Sequence, residues 1–309
     1  MRSSTAPTAR EPVDDGERPL RVLMALTYHR PYVSGPIVYA ERLARGLTGR
    51  GHHVTILTSQ YDGSLALHDH VDGVEIVRVP EAARISTGVV MPTHPAVAWR
   101  LVGEHDAVVI HVPQFEAPVI ATIARMRGVP SLMTYHCDLQ LPPGPFNALV
   151  DRVVAAGNAA TSRVADRTIA YTDDYAEHTP LLRRRRDRLT VIPPPTDVSD
   201  DADGVGFRTR HHLGDGPIVG ICARFAAEKG FGVLLDAVET LDARGTPVTV
   251  VHAGETDGVI GEDAERRRLL PRIRTLGLRY REVGVLGGDE LAGFFTACDV
   301  TVLPSLNRT

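Results

Sequence analysis

Arg224 and Lys229 stand five residues apart in the segment Arg224-Phe-Ala-Ala-Glu-Lys229-Gly230. The apolar run 217–223 before them reads as a strand, and 231–243 after them has helical spacing. A loop from a strand end to a helix start attracts anions, because the first helical N–H groups are unpaired and the dipole is positive there. Arg grips phosphate oxygens with two donors and Lys adds a point charge, so together they would neutralise a diphosphate. The same residues also fit an exposed Arg and Lys beside a turn, paired with Glu228.

Three further candidates share that placement at a strand end. Ser34-Gly35-Pro36 follows the first strand-like run, where a small residue lets a ligand approach the backbone; it equally fits a simple helix start. No GxGxxG follows that run, which argues against a dinucleotide site. Thr134-Tyr-His136-Cys-Asp138 places an imidazole that can bond sugar hydroxyls or handle protons, and a carboxylate that can orient it or accept from substrate; a structural histidine is the other reading. His252-Ala-Gly254-Glu255 closes another strand with a glycine that leaves room for a ligand. Arg183–186 with Arg188 form a basic run that suits either anionic lipid headgroups or the end of a solvated helix. No His, Asp or Glu cluster has metal-ligand spacing, so no metal is expected.

These segments need a parallel sheet to position them. Apolar, β-branched runs at 20–27, 53–59, 74–79, 107–112, 130–135, 167–171 and 189–192 alternate with helical runs that open at Pro36 and span 117–127 and 145–165. Such alternation predicts an α/β fold with helices covering a parallel sheet. The span 87–102 fits neither template. Residues 193–206, rich in Pro, Asp and Gly, break the pattern, and it restarts with strands at 217–223, 247–253, 280–285 and 299–304 and helices at 231–243, 262–275 and 289–297. The expected organisation is a disordered tail over 1–19, a Rossmann-like domain over 20–197, a linker over 198–206 and a second Rossmann-like domain over 207–309, which stops directly after a strand and so reads as incomplete.

Composition narrows the class. The 309 residues suit two domains, and a formal net charge of −4 gives no reason to expect nucleic acid as a partner. Cys137, Cys222 and Cys298 are too few and too scattered for a disulfide framework, which fits a reducing, cytoplasmic setting. The tail lacks the apolar core of a secretory signal, and no run of about 18 apolar residues suggests a membrane span. Peripheral contact at the inner membrane face stays open through the arginine run.

In order and spacing, five motifs resemble the family 4 glycosyltransferases, which have the GT-B fold. They are Gly35 through Leu47 with Gly49-Arg-Gly-His-His-Val-Thr-Ile-Leu-Thr58 after it, Tyr135-His136-Cys137-Asp138, Val191-Ile-Pro-Pro-Pro-Thr-Asp197, Arg224 to Lys229-Gly230, and Asp299-Val-Thr-Val-Leu-Pro-Ser305. The resemblance covers the chain from about Leu20 onward. It implies a retaining hexosyltransferase of the kind that builds cell-envelope polysaccharides. The first domain would hold a glycan, lipid-linked or small-molecule acceptor, the second a UDP- or GDP-linked sugar, with chemistry in the cleft. The nucleotide sugar would be a co-substrate, with no cofactor. It implies that Arg224 and Lys229 hold the donor diphosphate, that Gly35 and Gly254 make room for the donor, and that His136 and Asp138 lie at the reacting sugar. Ala223, Pro36, Pro195, Thr196 and Thr256 depart from the family pattern, and its Glu, seven residues, Glu segment would come after Thr309. The competing expectations are a truncated, non-catalytic nucleotide- or glycan-binding module and a GT-B-type sugar-nucleotide epimerase.

Overall fold

The computed structural model describes residues 18–85, 88–139, 144–196, 198–199, 201–256 and 263–306. Most of the tail expected over 1–19, and Asp197 of the interdomain motif, lie outside the described residues. The chain divides between Pro195 and Thr196 into two compact units.

The first unit begins with β1 (Arg21–Ala25), α1 (Gly35–Thr48), β2 (His53–Gln60), β3 (His68–Val71), β4 (Val74–Pro80), β5 (Ala83–Ile85) and β6 (Gly88–Val90). It continues with α2 (His94–Gly103), β7 (Ala107–Val112), α3 (Ala117–Arg127), β8 (Ser131–Tyr135), α4 (Pro145–Val164), β9 (Arg167–Ala170), α5 (Asp173–His178), α6 (Pro180–Arg183) and β10 (Leu189–Val191). Eight strands form one sheet in the order β10-β9-β8-β7-β1-β2-β4-β3, parallel except where β3 meets β4.

After the exposed Arg21, β1 is apolar because both of its faces are covered. Leu23 and Ala25 pack into a core with Leu101 of α2 and Ile120 of α3, while Val22 and Met24 pack on the other face against Ile37, Ala40 and Ala44 of α1. The buried stripe of α1 is Ile37, Tyr39, Ala40 and Ala44, and Val38, Leu43 and Leu47 lie half-buried at its margin. Gly128, with φ of 67°, ends α3 in the left-handed conformation that favours glycine.

Two features escaped the sequence pattern. The four residues of β3 are all exposed, so they show no apolar alternation, yet Asp72 (φ 49°) and Gly73 (φ 80°) make the tight turn that joins β3 to β4. The unassigned span holds β6, paired antiparallel with β5, and then α2. Gly88 lies against the Phe115 ring, where a Cβ would collide.

The second unit holds α7 (Gly204–Arg210), β11 (Ile218–Cys222), α8 (Phe231–Ala243), β12 (Thr249–Ala253), α9 (Asp263–Leu276), β13 (Tyr280–Gly284), α10 (Gly288–Ala297) and β14 (Val300–Thr301). Its sheet is parallel, in the order β13-β12-β11-β14. Ile221, Phe231, Leu234 and Leu269 fill the core on the side of α8 and α9; Phe207, Ile218, Val251 and Phe294 fill the side of α7 and α10.

The expected linker over 198–206 needs correction at its end, because Gly204 to Gly206 are the first turn of α7. Asp203 caps that turn, its Oδ1 accepting from Gly206 N at 2.7 Å. Gly204 touches the Thr296 backbone of α10 with no room for a Cβ, so this glycine marks a close helix contact rather than a loop. The strand expected over 299–304 also shortens. Only Val300 and Thr301 register with β11, although Val302 N still donates to Gly220 O at 2.8 Å.

Candidate functional site

Ligands of an open parallel sheet bind beyond the strand C-termini, where the strand order reverses. In the first unit this point lies between β1 and β7. Residues 26–34, leaving β1, and residues 113–116, leaving β7, form its two walls. A narrow cavity of about 40 Å³ opens there beside Thr27, Gln114, Phe115 and Leu139. A wider hollow of about 880 Å³, beside Arg21, His53, His68 and Glu75, lies at the opposite end of the sheet. The crevice is the better candidate, because only the C-terminal end gathers loop backbone and helix N-termini around one point.

His136 sits just past β8, buried, with both ring nitrogens engaged. Its Nε2 meets His111 Nδ1 at 2.9 Å, and its Nδ1 meets the Tyr171 hydroxyl. Strand register builds this row. His111 of β7 pairs with Thr134 of β8, Thr134 pairs with Ile169 of β9, and His136 and Tyr171 each stand two residues further on the same face. Tyr39 from α1 closes over the row, its ring centroid 5.2 Å from His136 and 5.3 Å from Tyr171. Burial pushes His136 down to about 4, so it is neutral at pH 7.

Asp138 is exposed at the same strand end. Its Oδ1 accepts from the Tyr135 hydroxyl at 2.5 Å and its Oδ2 from the Tyr175 hydroxyl at 3.3 Å. Its backbone N–H donates to Tyr175 Oη at 3.0 Å. The structure therefore corrects one role open to Asp138 in the sequence: it does not orient His136, which is held by His111 and Tyr171, and its carboxylate is positioned by tyrosines instead.

Glu116 lies on the β7 wall, immediately before α3. It is buried, its Oε2 has no partner, and burial raises its carboxyl to about 7. Gln114 Nε2 donates to Ala25 O at 3.3 Å and ties the two walls together. Gly35 opens α1, exposed, with no atom within 4 Å of where a Cβ would be. Packing inside the unit does not require glycine there.

In the second unit, the loops after β11, β12 and β14 converge. Phe225 N donates to Glu255 O at 2.7 Å, and Leu306 N donates to Glu228 O at 2.9 Å. Gly254, with φ of 147°, faces the Ala223 carbonyl where a Cβ would collide, and Gly230, with φ of 73°, faces Pro304 O in the same way. These glycines let the loops close on one another. Arg224 and Lys229 stand on the first of the loops. Lys229 ends a short 3-10 turn, Ala227–Lys229, and is the only lysine of the chain. Arg224 is half-exposed and pairs with Glu228 at 2.6 Å. The cations are at a strand end, as expected, and Arg224 has the carboxylate partner that the plainer sequence reading gave it. His252 is wholly buried against Phe225 and Phe231, its Nε2 donating to Ala223 O at 2.8 Å, and it supports the loop from below.

Part of the arginine run is engaged within the unit. Arg185 Nη2 donates to Ser162 O at 3.2 Å, and Arg186 pairs with Glu177 at 2.9 Å. Among the described residues no helix is long and apolar enough to cross a membrane, and no His, Cys, Asp and Glu group has a metal-binding arrangement.

A family model for the glycosyl transferase 4-like domain matches residues 34–195. The chain belongs to this family. The 2-deoxystreptamine N-acetyl-D-glucosaminyltransferase of Streptomyces fradiae is 30% identical to this glycosyl transferase 4-like protein over 197 residues, 60% of this chain and 45% of the relative. The 2-deoxystreptamine glucosyltransferase of Streptomyces kanamyceticus is 28% identical over 198 residues, covering 60% and 49%. The D-inositol 3-phosphate glycosyltransferase of Stackebrandtia nassauensis is 28% identical over 197 residues, covering 61% and 42%. The chain spans about half the length of the curated relatives it matches. Among solved structures, Anabaena Alr3699/HepE in complex with UDP has a TM-score of 0.65 at 18% identity, over 93% of this chain and 75% of that one. Sucrose-phosphate synthase from Thermosynechococcus elongatus has a TM-score of 0.67 at 20% identity, with the coverage 93% and 75%. At these identities the likeness shows the fold, which is GT-B-like with Rossmann-like units.

The family match in this glycosyl transferase 4-like protein includes Gly35, His136 and Asp138 and ends before Arg224, Lys229 and Gly254. His111, Glu116, Tyr171 and Tyr175 were not found from sequence. A signal existed for the first two: His111 is the one polar residue of an apolar strand, and Glu116 stands directly before the next helix.

Proposed function

We propose that this chain transfers a hexose from a nucleoside diphosphate sugar, UDP- or GDP-linked, to a hydroxyl of a small ring polyol, with retention of anomeric configuration. The observation that carries the reading is the pair Arg224 and Lys229 on one loop at the C-terminal end of β11, flanked by loops that close through Gly230 and Gly254. Two cations fixed at that point would hold a diphosphate and stabilise it as it leaves with developing charge. Metal-free neutralisation of this kind fits the family resemblance, which also supplies the retention.

The first unit would hold the acceptor at its switch point. Asp138, exposed and steadied by two tyrosine hydroxyls, would accept from sugar or acceptor hydroxyls. His136, neutral and bonded at both nitrogens, would act by positioning Tyr171 rather than by carrying a proton. Gly35 would let the donor approach the start of α1. The acceptor class is drawn from the relatives, whose names give 2-deoxystreptamine and D-inositol 3-phosphate, both six-membered carbocyclic polyols. A small acceptor of this kind needs no membrane contact.

Calorimetric titration of the chain with UDP, GDP and their hexose conjugates tests the donor half. Micromolar binding of one nucleotide, lost in Arg224→Ala, is expected. No binding at millimolar ligand would remove the assignment.

A further inference from the structure

Three tyrosines gather where β1 and β2 end. The ring centroids of Tyr28 and Tyr32 are 5.0 Å apart, those of Tyr28 and Tyr61 5.5 Å, and those of Tyr32 and Tyr61 6.1 Å. The Tyr61 hydroxyl accepts from Tyr32 N at 2.8 Å and fixes the loop that carries Tyr32. Tyr32 remains 50% exposed, so the cluster presents aromatic surface to solvent at the rim of the crevice. A rigid aromatic wall beside polar groups suits a flat polyol ring, whose C–H face packs on aromatic carbon while its hydroxyls stay wet.

Glu116 stands on the facing wall of the crevice, which leaves β7. Burial raises the Tyr28 hydroxyl, Arg84 opposes the shift, and Glu81, Tyr32 and Glu116 add to it, so Glu116 and the tyrosines act on one another electrostatically. Arg84 is the cation of that set, and it is committed elsewhere. Its Nε donates to both Glu81 oxygens at 2.9 and 3.1 Å, and its Nη2 donates to Tyr61 O. Glu116 is left as a buried carboxyl with one oxygen unpartnered and, among the described residues, no cation paired to it. Such a group gains from an incoming positive charge and repels an incoming anion. An ammonium would also gain from the tyrosine ring faces.

We propose that Tyr28, Tyr32, Tyr61 and Glu116 form the acceptor subsite and select a ring polyol that carries an amine over one that carries a phosphate. This rests on the acceptor reading above, where the relatives' names leave both kinds open. The tyrosines supply affinity for the ring, and Glu116 supplies the choice of charge.

The test is calorimetric titration of the chain with 2-deoxystreptamine, with uncharged myo-inositol and with inositol 3-phosphate, alongside UDP. The amine is expected to bind at least about tenfold more tightly than the neutral ring, and the phosphate more weakly than either. Glu116→Gln should erase the preference for the amine, while the half-exposed Tyr32→Ala should weaken the amine and the neutral ring alike. The inference is overturned if the phosphate binds as tightly as the amine, if Glu116→Gln leaves the amine preference intact, or if no ring binds. Loss of UDP binding alone would overturn the donor reading and leave the charge preference to be read from the rings.

Discussion

Arg224 Nη2 donates to Glu228 Oε1 at 2.6 Å, within the loop that leaves β11. The pair holds the guanidinium beside the strand end and also opposes its charge. Arg224→Ala is expected to weaken UDP binding by roughly 10²-fold, as for loss of a charged contact to phosphate. Glu228→Gln keeps an acceptor for the guanidinium and removes the competing charge, so UDP binding should tighten a few-fold at low salt. Titration in both variants checks the pair; equal weakening in both would show that Glu228 acts only as a support.

Lys229 is the only lysine in 309 residues. An amine-selective reagent should therefore label the chain at Lys229 and the N-terminal amine alone. Saturating UDP should protect Lys229 and leave the terminus reactive, as read by peptide mass analysis. Labelling of Lys229 that UDP does not slow would place the diphosphate elsewhere. Lys229→Arg is not a neutral exchange, because a planar fork replaces a compact point charge.

Gly35 and Gly254 should separate on substitution. Gly254 has φ of 147° and no space for a Cβ beside Ala223 O, so Gly254→Ala should cost about 2 kcal/mol or more and lower the melting temperature. Gly35 has open space around it, so Gly35→Ala should leave the melting temperature unchanged or slightly raised. If the donor approaches the start of α1, the same variant still loses transfer. Full activity in Gly35→Ala would take this glycine out of the site.

Stability should rise with pH across the histidine range. Burial lowers His94 and His136 from 6.5 to about 4. Between those values the unfolded chain binds protons that the folded chain does not, so stability is complete above 6.5 and is lost as pH falls toward 4. At about 1.4 kcal/mol per unit, each contributes roughly 3 kcal/mol. Glu116 acts in the opposite sense. Its carboxyl is raised from 4.5 to about 7, so its contribution is complete below 4.5 and is lost as pH rises through 7. Urea midpoints at pH 4.5, 6 and 7.5 should climb from the first to the second and flatten by the third. Glu116→Gln should remove the flattening; a midpoint highest at pH 4.5 would contradict the assignment of neutral buried histidines.

The α/β alternation was legible because strands buried on both faces must be mostly apolar, as residues 22–25 of β1 and all of β7 but His111 are. The limits of α8 at Phe231 and Ala243 were also legible, since Gly230 and Gly245 mark them with left-handed φ values of 73° and 75°. β3 was not, because an exposed edge strand carries no burial pattern, although the Asp72-Gly73 turn announced it. The glycine-rich start of α7 read as linker because a glycine needed for close helix packing looks the same in sequence as one needed for a turn.

The sequence alone determined which residue types stand at strand ends: Gly35 after β1, His136 and Asp138 after β8, Arg224 and Lys229 after β11. A strand's end is a local property, set by where an apolar run stops. Only the tertiary structure decided what those residues touch. His136 meets His111 and Tyr171, which are 25 and 35 positions away, and Asp138 meets Tyr175 rather than His136. These contacts follow from the register between neighbouring strands and from which side of each strand faces α1. Register depends on packing across the whole sheet, which no local segment encodes.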